Sequence, residues 1–215
     1  LFYPIGGGQN WDTGRIITSN EELQVSEVRG RNLVEHHVNI DHNLSVGDEI
    51  IGEIDWDRRY SHMRMHTAQH LMSGLAYELF DGTRTVGNQI NVSHSRIDFN
   101  PISFDESMIK ELSDSANQYI RESTKVYESI MTREEINSIM PEDRTNMDLL
   151  PKSVKDLRVI TIGNEFDLCP CAGTHVANLS EIGDITIVSK KSKGKGTQRI
   201  KYELNNNYKV KKPNL

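Results

Sequence analysis

His66 and His70 stand four residues apart in the segment His66-Thr-Ala-Gln-His70. On a helix that spacing stacks the two imidazoles on one face, where both can reach a single point. A hundred residues later Cys171-Ala-Gly-Thr-His175 repeats the four-residue step with a thiolate and another imidazole. Three nitrogens and one sulfur are a donor set that Zn²⁺ accepts in tetrahedral geometry. Either pair alone is more often solvated or capping; both together argue for one zinc site made of His66, His70, Cys171 and His175. His62, a helical turn before His66, is a further potential ligand at the helix entrance, and Cys169 reads as a supporting or packing residue. Cys169 and Cys171 are too close in sequence for an unstrained disulfide, which favours metal ligation or free thiols. A metalloprotease would need a glutamate directly after the first histidine, and that position is Thr67. Without that base an activated ester suits the site better than a peptide. Four protein ligands are also the mark of a structural zinc, so catalysis requires one ligand to loosen or the coordination number to rise.

The same residues resemble a known family. His66-Thr-Ala-Gln-His70-Leu71 and Cys171-Ala-Gly-Thr-His175-Val176 are similar to the paired HxxxH and CxxxH signature of the alanyl-tRNA synthetase editing domain and of the free-standing AlaX-type trans-editing proteins. Phe2-Tyr3-Pro4, Gly6-Gly7-Gly8-Gln9 and Asp12-Thr13-Gly14 resemble the glycine-rich motif of the medium-length AlaX form. Gly87-Asn88-Gln89-Ile90 and Arg96-Ile97-Asp98-Phe99 resemble the segment after the first zinc helix. The one departure, Ala172-Gly173 where the family often has two glycines, leaves the ligand spacing intact. The resemblance implies a zinc-dependent deacylase acting on alanine tRNA that carries serine or glycine, with zinc either activating water or holding the substrate's amino group. Rejecting alanine is a hydroxyl-reading problem, for which the polar Thr85, Asn88 and Gln89 are the expected substrate contacts. The resemblance places Gly6, Gly7, Gly8 and Gln9 in recognition of alanine tRNA. A nucleotide-binding phosphate loop does not fit, since no Lys-Ser/Thr and helix follow. The rival readings are a non-catalytic RNA-binding module stapled by zinc and a zinc hydrolase of small esters.

The elements that must position these groups read as α+β. Strands at 15–18, 23–28, 33–39 and 49–54, separated by glycine and polar turns, predict a small N-terminal β-barrel over residues 1–56. From Asp57, Met63, Leu71, Met72, Leu75 and Leu79 recur at helical spacing, with the histidines offset from that stripe and Gly82 as a stop. A strand over 89–99, a helix over 105–123, an extended stretch over 125–131 and a capping box at Thr132-Arg-Glu-Glu135 follow. A buried strand at 157–163, the approach to the cysteines at 165–168, and a hairpin of 184–189 with 198–204 complete a helix and antiparallel-sheet zinc domain over 57–215. The start at Leu1 falls inside what the resemblance makes a strand and loop, so a preceding segment is expected.

At 215 residues with 36% hydrophobic and 26% charged residues the chain has a globular composition, and no signal segment or spanning run points away from the cytoplasm. Its net charge of −6 argues against nucleic acid until the distribution is considered. Residues 186–215 hold nine basic side chains against Glu203, a charge of +8, which leaves −14 for the first 185. Lys191, Lys193 and Lys195, in the predicted hairpin turn 190–197 with Gly194 and Gly196, are therefore expected to touch tRNA.

Overall fold

The computed structural model describes residues 2–30, 32–141, 144, 147, 150, 153–164 and 166–205. The N-terminal strands are β1 (Gly14–Ile17), β2 (Glu22–Arg29), β3 (Glu35–Val38) and β4 (Ile51–Ile54). They form an antiparallel sheet in the order β3-β2-β1-β4, with Gly14 opposite both Val25 and Ile54. Its buried side carries Phe2, Ile16, Leu23, Val25 and Val28. The predicted barrel does not form: β3 and β4 are the two edges, each four residues long and mostly exposed. With so few strands and one apolar face, nothing among the described residues brings those edges together.

Helix α1 (Trp56–Leu79) follows at once, capped by Asp55, whose carboxylate accepts the Arg58 amide at 3.1 Å. The N-terminal loop is clamped to its first turns. Asp12, fully buried, accepts from the Arg59 guanidinium and from the Tyr3 amide at 2.7 Å, while Arg58 Nε donates to the Trp11 carbonyl at 3.0 Å. Sequence periodicity predicts a helix with one buried flank, but every residue from Arg64 to Met72 is buried. The helix lies inside the molecule, so its polar residues must be satisfied internally. Arg64, for instance, donates to the carbonyls of Glu181, Ile182 and Asn205.

Two further sheets enclose α1. Strands β5 (Arg84–Gln89) and β6 (Ser95–Asn100) form a hairpin where the sequence predicts one strand over 89–99; the polar turn around Asn91 to His94 breaks it. After helix α2 (Glu106–Arg121) come β7 (Val126–Thr132) and helix α3 (Arg133–Ile139), which begins with the expected Thr132–Glu135 capping box. Strands β8 (Asp156–Ile162) and β9 (Asp167–Pro170) complete a β7-β8-β9 sheet. Strands β10 (Ile185–Gly194) and β11 (Thr197–Leu204) join the hairpin in the order β10-β11-β6-β5. Ile97, Phe99, Ile200 and Tyr202 from that sheet share one core with Leu71, Leu75, Leu112 and Ala116 of the helices. The basic stretch 190–197 is not a loop: Lys190 and Lys191 pair with Ile200 and Arg199, and the turn itself is only Lys195-Gly196. Lys209, Lys211 and Lys212 lie outside the described residues. No helix among the described residues is long and apolar enough to cross a membrane.

Candidate metal centre

Helix α1 stacks His66 above His70 with ring centroids 5.3 Å apart, and the loop after β9 brings His175 to 4.5 Å and 4.7 Å from them. One donor atom from each of His66, His70, Cys171 and His175 lies within 4.8 Å of all the others. Cys171 Sγ is 3.6 Å from His66 Nε2 and 3.4 Å from His175 Nε2. In a tetrahedral zinc site with the usual bond lengths, sulfur and nitrogen ligands stand about 3.6 Å apart. The cluster therefore has both the chemistry and the spacing for the ion.

Hydrogen bonds fix which nitrogen of each histidine faces inward. His70 Nδ1 meets the Asp167 carboxylate at 3.1 Å. The Thr67 hydroxyl gives its one proton to the Met63 carbonyl and so must accept from His175 Nδ1, at 3.2 Å. Gln9 Oε1 already accepts the Thr174 amide at 3.1 Å, which identifies it as the oxygen and makes His66 Nδ1, at 2.8 Å, another donor. All three imidazoles thus carry a proton on Nδ1 and turn Nε2 into the cluster, the arrangement by which surrounding residues orient metal-binding histidines.

Electrostatics agree. Burial pushes the Cys171 thiol up, but His66, then His70, and the close approach of the His175 and His66 rings outweigh it, so its pKa falls well below the ordinary value. Burial likewise opposes charge on His70, yet the Cys171 thiolate and Asp167 hold its pKa at about 10. Burial and the neighbouring His66 depress His175 to about 3. A cation settling among these donors takes the place of the proton on His70, so binding is expected to release a proton and to strengthen as pH rises. Metal titration followed by proton release at two pH values checks this; release of no proton would contradict it.

The ligand loop is held from below. Arg158 of β8 donates to the carbonyls of Cys171 at 2.7 Å and Gly173 at 2.8 Å, and Glu128 of β7 anchors its other nitrogen at 2.6 Å. Gly173 offers its amide to Cys171 Sγ at 3.3 Å.

The cluster forms the floor of a cleft of about 720 Å³. His66, His70 and Cys171 line it, whereas His175 does not and closes the cluster from behind. Gly6 and Gly7 form one rim together with Tyr3, whose phenol is pushed up to about 12 by burial and by Cys171 and donates to the Gly6 carbonyl at 3.0 Å. The other wall is a polar chain: Asn88 Nδ2 to Gln69 at 3.4 Å, Gln69 Nε2 to Ser73 at 2.7 Å, and Ser73 to Thr85 at 2.6 Å.

Of the expected substrate contacts, Thr85 and Asn88 line the cleft, but Gln89 does not. Gln89 is exposed on the opposite side of β5, where its carbonyl oxygen accepts Arg96 Nε at 2.9 Å. Asn88 pairs with the buried Ile97 and Gln89 with Arg96, so the two side chains leave opposite faces of β5. Gly6 and Gly7 reach the cleft; Gly8, at φ +82°, packs so closely on Asn88 that an added Cβ would sit 1.7 Å from its Oδ1. Gln9 has no exposed surface and grips His66 and Thr174, so its side chain is not a direct tRNA contact. Lys191, Lys193 and Lys195 do not line the cleft and lie on β10 and its turn. His62 is not part of the cluster. It is buried with both ring nitrogens unpartnered, and burial together with Arg58 lowers its pKa to about 4. Cys169 lines the cleft as a thiol kept protonated by burial and by Asp167.

Asp167, Arg158, Gln69 and Ser73 escaped sequence reasoning. Gln69 and Ser73 fall at helical spacing beside His66 and His70 and could have been found from it.

Comparison with known proteins agrees with this geometry. Residues 157–201 match the threonyl and alanyl tRNA synthetase second additional domain, and residues 1–58 match tRNA synthetases class II (A). The alanyl-tRNA editing protein AlaX-M of Methanosarcina barkeri is 34% identical over 95% of this chain and 86% of its own length. That of Saccharolobus solfataricus is 36% identical over 94% and 85%. The alanine--tRNA ligase of Ignicoccus hospitalis is 33% identical over 94% of this chain but only 22% of the ligase. With its cluster of four donors that could hold a metal, its glycine-rich rim and relatives aligned over nearly its whole length, the chain belongs to the AlaX-M family of alanyl-tRNA editing proteins.

Proposed function

We propose that the chain is a trans-editing hydrolase that removes serine, and also glycine, wrongly esterified to alanine tRNA, with Zn²⁺ held by His66, His70, Cys171 and His175. The observation that carries this is the cleft that opens over three of the four donors while the fourth sits behind them. A zinc that only stapled the fold would need no such opening, which disfavours the structural reading. Zn²⁺ bound there supplies a Lewis acid beside the ester.

The chain's own residues do the rest. Thr67 occupies the position of a protease's glutamate, but its hydroxyl is committed to the Met63 carbonyl, so it contributes orientation of His175 rather than proton abstraction. The wall formed by Asn88, Gln69, Ser73 and Thr85 offers several hydroxyl and amide partners to a seryl hydroxyl, and alanine leaves that capacity unused. The rim at Gly6 and Gly7 has no side chains, which allows the terminal nucleotide of a tRNA to approach the backbone closely. Glycine-bearing tRNA lacks the hydroxyl, so its hydrolysis should be slower than that of the seryl ester.

The direct test is deacylation of Ser-tRNA(Ala), Gly-tRNA(Ala) and Ala-tRNA(Ala) by the purified protein loaded with zinc. We expect rapid loss of serine, slower loss of glycine and near-complete sparing of alanine. A seryl ester that persists as long as in a protein-free blank rules the enzyme out.

A further inference from the structure

We infer that the outer face of the β10-β11-β6-β5 sheet is the docking surface for the phosphate backbone of the tRNA, leading to the cleft along β5; this rests on the reading of the chain as a tRNA hydrolase. Strand alternation places the charges. Ile97, Phe99, Ile200 and Tyr202 are fully buried in the core, so Arg96, Asp98, Arg199 and Lys201 stand on the opposite face. Register then assembles them into rows. Lys201 lies directly across from Arg96, and Arg199 lies between Lys191 on one side and Asp98 on the other.

The result is a face with five cations, counting Lys193, against two carboxylates, Asp98 at its centre and Glu203 at the end of β11, on a chain whose net charge is −6. Asp98 organises rather than neutralises it. Its two oxygens take Arg199 at 2.6 and 2.7 Å, with Arg96 at 3.7 Å, holding both guanidinium groups in place. Burial raises the Asp98 pKa against the pull of Arg96 and Lys193, and Lys193 follows Lys191 by two residues along β10. Among the described residues Lys191, Lys193 and Lys201 form no salt bridge, so their charges are available to an external anion. A rigid, twisted sheet lined with cations suits a continuous polyanion.

Continuity with the cleft completes the case. Arg84 pairs with Asn100 at the edge of the same sheet and lines the cleft, so the charged face meets the cleft around the β5 edge, while Thr85 and Asn88, paired with the buried Phe99 and Ile97, reach the cleft from the inner face. Four strands carry the charge across about 14 Å from β10 to that edge. The backbone of the acceptor stem would cross this span with its 3′ end entering over β5.

The test uses an uncharged, labelled tRNA(Ala) transcript, whose binding is measured at several salt concentrations with the zinc-loaded protein. Lys191→Ala combined with Lys201→Ala should lower the slope of log affinity against log salt by about 2, one for each lost phosphate contact. The same loss should appear with a serine tRNA transcript, since phosphates carry no sequence information. Lys110→Ala, on the exposed side of α2, should leave the slope at its wild-type value. An undiminished slope in the double variant, or a wild-type slope near zero, overturns the assignment. Because the probe carries no ester, a protein that binds it through this face yet deacylates nothing would overturn the hydrolase reading and leave the surface standing.

Discussion

Gly173→Ala is expected to abolish metal retention and hydrolysis together while the chain stays folded. A Cβ at that position would sit 2.1 Å from His66 Cε1 and 2.3 Å from its Nδ1, distances at which something must move. The His66 ring has nowhere to go. It projects from the buried middle of α1, and its Nδ1 is tied to Gln9. The loop would have to yield instead, yet Arg158 fixes the carbonyls on both sides of the turn and the Gly173 amide supports Cys171 Sγ. Whichever part shifts, the donors lose the spacing that suits the ion, and a displacement of half an ångström is enough to spoil a metal site. Elemental analysis checks it: about one Zn²⁺ per chain in the wild type, none in a His66→Ala, Cys171→Ala double variant, and close to none in Gly173→Ala. Circular dichroism on the same samples reports the fold. A Gly173→Ala protein with full zinc content would show that the cluster is looser than its contacts imply.

The four donors were legible in the sequence because both pairs depend on local geometry, a helical turn in one case and a short loop in the other. Their orientation was not legible. The bond from His70 to Asp167 spans 97 positions and that from Gln9 to Thr174 spans 165, distances over which no periodicity operates. The wall of the cleft was half legible. Thr85 and Asn88 are expected as polar partners for a seryl hydroxyl, but a bulge between Thr85 and Gly87 decides which side of β5 each residue takes, and Gln89 falls on the outside. Lys190 to Gly194 reads as a loop because its lysines, serine and glycine have low strand propensity. Pairing with β11, whose alternate residues are buried, makes it a strand regardless and so turns a presumed hairpin tip into part of a charged face. The expected barrel failed for a related reason: the spacing of strands tells how many there are, not whether the edge strands meet.

The glycine-rich motif is where sequence and structure lead to different experiments. Taken as a sequence, Gly6 to Gln9 belongs to an N-terminal unit separate from the zinc ligands, and a change there should spare the metal. The fold removes that separation. The Ile90 amide donates to the Gly8 carbonyl at 2.7 Å, so the loop is stitched to the end of β5 and delivers Gln9 into the core beside His66. Two kinds of variant should therefore part company. Gly7 has φ +56° and nothing within 4 Å of a would-be Cβ, so Gly7→Val strains the loop, by about 1–2 kcal/mol, without touching a ligand. It should keep its zinc, while losing deacylation and discrimination between alanine and serine tRNAs. Gln9→Leu should do the reverse of sparing the metal. It leaves the His66 Nδ1 proton without an acceptor in a buried site, and losing such an orienting partner typically weakens metal affinity by about 10–100-fold. Gln9→Glu keeps an acceptor oxygen at the same reach and should restore most of that affinity. Competition with a chelator of known strength measures all three variants against wild type. Wild-type zinc affinity in Gln9→Leu would falsify the link between the motif and the metal, and a Glu variant as weak as Leu would reduce Gln9 to a packing residue.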